Sequence, residues 1–361
     1  MTAIIEQATA PLVVDPSILE TVSEKAKAVD AGTEDARYIL PILAEAGLLD
    51  TDLLTAARTV REISRRDLSV GFTTWAHLMT QTYLANANKP AASAVEQSLR
   101  SGARPGITGM AAAFKEFAGC GEIELAATPV EGGYRVTGKL NWASNLYDDA
   151  VLVTAVRTDA GDRLLIFVES GVEGLTFGKP FGLLGLNATA SAWVSLENVF
   201  VPESQVLTHD FDAFILQVRP TFVVLQIAEC IGVAEAAIAA ASERLFGVNA
   251  TFADEVQDIA ARVSDIIARQ ENIITRVGNS DISPVELLEL RLDAAEVAVA
   301  AANVEVRVAG GAGYAKSSPA SRRFREAAFI PVQSPSEAQL RWELERDRKS
   351  TRLNSSHEPL S

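Results

Sequence analysis

The 361-residue sequence predicts a multidomain α+β protein: an N-terminal helical domain, a central β domain of barrel or sandwich type, and a C-terminal antiparallel helical bundle. Three observations predict it. Residues 16–106 carry apolar side chains at helical spacing, residues 107–210 switch to short β-branched and aromatic runs, and residues 211–346 return to helical spacing over three long segments.

Residues 1–15 show no hydrophobic period and are expected to be disordered. Asp15-Pro16 then reads as an N-cap followed by proline at the first helical position. DARYILPILAEAGLLD and TDLLTAARTVREISRRD have helical spacing, and SVGFTTWAHLMTQTYLANA is apolar on most sides, as a buried helix would be. SGARPG, ending at Gly106, punctuates the chain. Beyond it, GYRVTGKLNWAS, AVLVTAVRT, RLLIFVES and SAWVSLENVFV are strand-like, separated by EGG, DAGD and SGVEG turns.

The bundle periodicity is firm. One helix steps through Val224, Ile227, Ile231, Ala234, Ile238, Ala241 and Leu245. A second uses Val256, Ile259, Val263, Ile266, Ile273 and Val277, with Gln270 filling the missing step. A third uses Val285, Leu288, Leu292, Ala295, Val299, Ala302 and Val306, and opens on Ser283-Pro284-Val285-Glu286, a capping box. Matching stripes joined by short loops predict an antiparallel bundle.

Composition narrows the function. A formal net charge of −15 disfavours nucleic acid and anionic membrane surfaces. No segment approaches eighteen uninterrupted apolar residues, and the first seventeen residues lack a signal-peptide pattern, so a cytoplasmic location is the expectation. Cys120 and Cys230 stand far apart with no CxxC and no adjacent histidine, which suggests neither a disulfide framework nor a metal site.

DRKSTRLNSSHEPLS, residues 347–361, breaks with all that precedes it. Asp347 to His357 can be written in codons that spell a widely used sequencing-library adapter, in frame. Residues 347–361 are therefore expected to be a non-native tail, which removes His357 from any mechanism.

Several motifs resemble the acyl-CoA dehydrogenase family in sequence and order. GGYRVTGKLNWASN resembles the stretch whose Trp-Ile-Thr-Asn contacts the flavin ring, with Trp142 and Ser144 at the matching positions. The segment ending in Val201-Pro202 resembles the close of that family's β domain. ERLFG, Glu243 to Gly247, resembles Arg-x-x-Phe-Gly, and VAGGAGYAKSSPASRRFREA resembles a Gly-Gly-x-Gly-Tyr turn leading to Arg-Asp-Ala, here Arg325-Glu326-Ala327. The likeness covers residues 20–346. It implies FAD as cofactor, with Trp142 walling the ring, Ser144 hydrogen-bonding it, and Arg244, Gly310 and Gly311 holding the diphosphate of a neighbouring subunit. It also implies a homo-oligomer, dimer or tetramer, and α,β-dehydrogenation of an acyl thioester, most simply an acyl-CoA.

The physical chemistry of these residues agrees with a flavin. An indole and a hydroxyl two residues apart on a strand face the same way and offer an apolar wall and a hydrogen bond. Gly310-Gly311-Ala312-Gly313 follows a helix, not a strand, and so reads as a helix C-terminal turn.

The chain also departs from the family. Its hydroxyl positions for flavin and diphosphate fall on Ala112 and Ala118, and its glutamine before Gly-Gly is Arg307, which could take part of the diphosphate charge. The glutamate that removes the α-proton falls by count at Ser334, and its alternative position near Phe222. Glu337 and Glu229 are the nearest acids, and the catalytic base is unassigned. A reduced-flavin-dependent monooxygenase of the same fold is the alternative, with His77 as a possible site residue or a satisfied core histidine. A degenerate, non-catalytic paralogue is the third reading; retention of Trp142, Ser144 and the GGAGY turn opposes complete loss of the flavin.

Overall fold

The computed structural model describes residues 12–279 and 281–355, the last six as backbone only; residues 1–11 and His357 lie outside the described residues. The expected disorder of residues 1–15 does not extend to the end of that stretch. The Val13 and Val14 N–H groups donate to the two Glu62 carboxylate oxygens at 3.1 and 2.9 Å, and the Val14 side chain is buried. Charge-assisted bonds to a fixed helix hold these residues against the domain.

Helix α1 (Pro16–Asp30) starts as its sequence dictates, with Asp15 accepting from the Ser17 N–H at 2.8 Å. It is followed by α2 (Ile39–Glu45), α3 (Leu53–Ser64), α4 (Leu68–Asn86) and α5 (Pro90–Arg100). Helix α4 is buried without a break from Leu68 to Gln81, because it runs through the middle of the domain.

Eight strands form one mixed sheet: β1 (Gly106–Gly109), β2 (Ala126–Val130), β3 (Gly133–Ala143), β4 (Val151–Thr158), β5 (Arg163–Glu169), β6 (Leu175–Phe177), β7 (Ala192–Pro202) and β8 (Val206–Thr208). The hydrogen-bonded order is β6-β7-β3-β2-β4-β5-β8, with β1 parallel to β4. A helix not anticipated from the sequence, α6 (Ala111–Ala118), lies between β1 and β2. Its alanines favour helix, and Gly119 ends it at φ 73°, a left-handed conformation suited to glycine.

The remainder is the bundle: α7 (Phe211–Ser242), α8 (Ala253–Ile274), α9 (Pro284–Tyr314), α10 (Pro319–Ala327) and α11 (Glu337–Ser355). The expected α7 and α8 stripes are buried except at their last positions, Leu245 and Val277, which lie half-buried beyond the helix ends; Gln270 joins its stripe by donating to the Val224 carbonyl at 2.8 Å. Helix α7 is the one described helix long and apolar enough to cross a membrane, and 83% of its apolar window is buried inside the protein. Helices α3 and α7 cross so closely that a Cβ on Gly232 would lie 2.4 Å from the Arg61 carbonyl oxygen.

Helix α9 departs from expectation. Its face toward the core centres on Leu287, Leu290, Arg291, Ala294, Val297, Ala298, Ala301 and Val304, one position removed from the expected stripe, of which Ala295 and Ala302 are also buried in the core. Part of that stripe packs instead under α11, where Leu288, Leu340 and Leu344 form a separate cluster with Val285 and Leu292. The cause is Arg291: a fully buried cation sits on the true core face and breaks its apolar pattern. The capping box does not form either. Ser283 makes no side-chain cap bond, and Glu286 is drawn instead to Arg276 at 2.5 and 3.1 Å.

Candidate active site

A cavity of about 360 Å³ opens where the helical domain, the sheet and the bundle meet. Helix α4 contributes Phe72 and Trp75, β1 contributes Thr108, and α6 contributes Ala111 and Lys115. Trp142, Ala143 and Ser144 come from the end of β3, Phe222 from α7, and Phe329, Val332, Gln333 and Ser334 from the segment after α10.

Each wall is fixed by packing or hydrogen bonds. Trp75 meets Phe222 edge-on at 5.0 Å, and Phe72 meets Phe329 edge-on at 5.2 Å. Trp142 is 47% exposed and leans on Phe181 at 4.8 Å, leaving much of its surface for a ligand. Asn145, in left-handed conformation, anchors the end of β3: its Nδ2 donates to the Thr73 and Gly106 carbonyls at 3.2 and 3.1 Å. These bonds carry the neighbouring Trp142 and Ser144 to the cavity. Ser144 Oγ is 2.7 Å from Ser191 Oγ, which is 2.7 Å from Thr189 Oγ1.

Trp142 and Ser144, located by one motif, share a cavity with Ser334, located by count, and with Phe222, near which the alternative base position falls. Lys115, Thr108 and Gln333 were missed. Lys115 had a signal in hindsight, since it stands four residues after Ala111 on the same face of α6.

No carboxylate lines the cavity among the described residues. Glu229 is buried one side chain behind the wall, accepting from Gln333 Nε2 at 2.8 Å. Burial pushes its carboxyl up to about 8, against the lowering effects of the Gln333 bond and the Arg291 charge. Glu337 opens α11, where it accepts from Arg341 Nε at 2.8 Å, as a helix-start acid would. His77 is a satisfied core residue: Nε2 donates to the Leu99 carbonyl, Nδ1 accepts from the Gly106 N–H, and burial lowers it to about 4.

The residues expected to hold a diphosphate do not reach this cavity. Arg244 and the Gly310–Gly311 turn are exposed at one edge of the bundle. Gly310 breaks α9 with φ 61° and ψ −146°. Asn249 ties the two turns together, donating to the Arg244 and Val308 carbonyls at 3.2 and 3.0 Å. The expectation that Arg307 would take part of this charge meets a competitor. Glu255 already accepts from both of its terminal nitrogens, at 2.6 and 2.8 Å, and its guanidinium lies over Phe252. Ala112 and Ala118 lie on α6 and offer no side-chain donor. No cluster of three metal-ligating side chains occurs among the described residues.

The donor set fits a flavin ring. Aromatic walls suit a flat heterocycle, and hydroxyls at Thr108, Ser144 and Ser334 suit its polar edge. The Ser334 Oγ is buried with no hydrogen-bond partner among the described protein atoms, an unmet polar group in a residue of the cavity wall.

The architecture is that of the acyl-CoA dehydrogenases. Butyryl-CoA dehydrogenase from Megasphaera elsdenii superposes with a TM-score of 0.81 over 92% of this chain and 96% of its own, at 17% identity. KijD3 in complex with FMN and a dTDP-linked sugar superposes with a TM-score of 0.79 over 95% of each chain, also at 17% identity. In sequence, the chain is similar to a Bacillus subtilis protein named "Probable acyl-CoA dehydrogenase YngJ", 26% identical over 55% of this chain and 57% of that one. The chain thus spans a little over half the length of the curated relatives it matches. No family model matches it. These likenesses show an acyl-CoA dehydrogenase-like fold and a distant sequence similarity to proteins named as acyl-CoA dehydrogenases.

Proposed function

We propose that the cavity holds the isoalloxazine ring of FAD and that the protein oxidises an acyl thioester, most simply an acyl-CoA, between its α and β carbons. The convergence of Trp142, Ser144, Phe222 and Ser334 on one cavity carries this reading. A bound flavin supplies a hydride acceptor. Trp142 and Phe222 enclose it, Ser144 meets its polar edge, and Lys115 favours negative charge at the mouth. The KijD3 likeness puts FMN beside FAD as the cofactor. In the FAD reading, a second copy of the chain presents Arg244, Gly310 and Gly311 to the diphosphate.

One observation favours a second reading. The resemblance puts a catalytic glutamate at Ser334 or near Phe222, and no carboxylate lines the wall among the described residues to remove an α-proton. A reduced-flavin-dependent monooxygenase places no such demand. The test is a visible spectrum of purified residues 1–346 followed by anaerobic addition of acyl-CoAs. A flavin spectrum bleached by one of them supports dehydrogenation. Flavin that stays oxidised moves the reading to the monooxygenase, and no flavin after reconstitution moves it to the non-catalytic paralogue.

A further inference from the structure

The hydrogen-bond polarity of Ser144 is fixed from behind. Thr189 Oγ1 donates its one proton to the Leu186 carbonyl at 2.8 Å, a partner that can only accept. Thr189 must therefore accept from Ser191 across their 2.7 Å contact. Ser191 has then spent its own proton, so the 2.7 Å contact with Ser144 is filled by the Ser144 proton. All three residues are buried. Ser144 thus directs its proton into the protein and its lone pairs toward the cavity it lines.

We infer that this Thr189–Ser191–Ser144 chain makes the cavity bind reduced flavin more tightly than oxidised flavin. The inference rests on the flavin reading above. The redox-active ring nitrogen of an oxidised flavin carries only a lone pair, whereas the reduced ring carries an N–H there. With that nitrogen seated against Ser144, the serine would accept from the N–H with the chain undisturbed. To meet the lone pair, Ser144 must turn its proton toward the cavity, Ser191 must donate to Ser144, and Thr189 must donate to Ser191. The Thr189 bond to Leu186 is then given up. One net hydrogen bond corresponds to roughly three- to tenfold in affinity. Tenfold tighter binding of the reduced form raises a two-electron potential by about 30 mV. Thr189 and Ser191 are positioning residues here, acting only through Ser144.

The test compares dissociation constants for oxidised FAD and anaerobically reduced FAD, and the midpoint potential of bound flavin, in the unaltered protein and three variants. Ser191→Ala removes the acceptor of the Ser144 proton, and Thr189→Val frees Ser191 to donate to Ser144. Both should lower the preference for reduced FAD by about three- to tenfold, with the potential falling in step. Ser191→Thr keeps the hydroxyl and should keep the preference. An unchanged ratio in Ser191→Ala and Thr189→Val, with FAD bound, overturns the inference and leaves the flavin reading intact. Failure of the unaltered protein to bind FAD in either redox state overturns both.

Discussion

Glu229 and Gln333 meet carboxylate to amide at 2.8 Å in a buried layer behind the cavity wall. Arg291, fully buried, completes the layer: it donates to Gln226 Oε1 at 3.3 Å, the Ile330 carbonyl at 3.2 Å and Gln333 Oε1 at 3.5 Å. Gln226 in turn donates to the Ser334 carbonyl at 2.8 Å. The network clamps the 330–334 segment, and with it Gln333 and Ser334, onto the bundle. Its acid and base communicate through the Gln333 amide, which fixes which end of that amide faces which charge.

This arrangement gives stability a pH dependence. Burial lifts the Glu229 carboxyl from 4.5 to about 8, so folding takes up a proton between those values. Stability therefore falls as pH rises through that window and levels off above it. Glu229→Gln keeps an acceptor for Gln333 Nε2 but cannot ionise. Thermal melts should show the unaltered protein losing several degrees between pH 5.5 and 8 relative to the variant. Asp67, pushed up to about 7 mainly by burial, acts with the same sign in both proteins and cancels from the comparison. Parallel pH profiles would show that Glu229 is ionised throughout.

Trp142 offers a test of the ring wall. Its exposed indole contributes little to folding, so Trp142→Ala should leave the melting temperature nearly unchanged. Loss of an aromatic wall against a flat heterocycle corresponds to about tenfold in retention, the worth of a stacking contact. Flavin content per protein after gel filtration, read from the visible spectrum, should fall accordingly. Undiminished flavin content would remove Trp142 from the site.

Arg244 separates the ring from the diphosphate. The Arg244 side chain is exposed, and replacing it with alanine should leave the fold intact. If Arg244 meets the diphosphate, Arg244→Ala should weaken FAD by about tenfold, as loss of a charge-assisted bond does, and leave FMN nearly unaffected. Titration with both cofactors reads the ratio. Equal losses for FAD and FMN would place Arg244 away from the diphosphate.

The sequence showed most of the fold because its patterns are local. The Asp15 cap, the α7 and α8 stripes and the long strands all follow from spacing within a single element. The α9 face was misread because Arg291 is buried by partners on α7 and after α10, more than thirty residues away in sequence. Helix α6 was missed in a segment surrounded by strands. Motif and count led to Trp142, Ser144, Ser334 and the neighbourhood of Phe222, which the fold brings to one cavity. The hydroxyls of Thr189 and Ser191 behind Ser144 were not legible, because a register of strands and a turn brings them there. The Arg244 and Gly310 turns were placed near each other by the resemblance, and Asn249 is the residue that joins them.

The C-terminal tail can be tested by removing it. Helix α11 continues to Ser355, but its packing into the core ends at Leu344. Past Arg346, the ion pairs include Arg348 with Glu289 at 3.3 Å and Lys349 with Glu345 at 3.9 Å, both exposed and worth little. A chain ending at Arg346 should melt within about 1 °C of the longer one, since such surface losses stay within roughly 0.5 kcal/mol. Leu344→Ala, by contrast, removes a buried side chain and should cost about 2–5 kcal/mol. A truncated chain that melted as low as Leu344→Ala would show that residues 347–361 belong to the native fold.

Ser334→Glu tests the thioester reading by supplying the group it lacks. Ser334 lines the cavity, its Oγ is without a partner, and it stands where the resemblance puts the proton-abstracting glutamate. A glutamate there would be partly desolvated, which raises its pKa, while the Lys115 cation lining the same cavity opposes the rise. A carboxylate poised near neutrality is what general-base removal of an α-proton requires, and such a base contributes about 10²–10⁴-fold. Ser334→Glu should therefore bleach bound flavin with a matching acyl-CoA at least tenfold faster than the unaltered protein under anaerobic conditions. Phe222→Glu offers the same chemistry from α7 and guards against one badly seated side chain. If both variants bind flavin and neither is bleached by any acyl-CoA, the cavity does not seat a thioester against the ring. The serine at position 334 would then belong to a site built for chemistry without a carboxylate base.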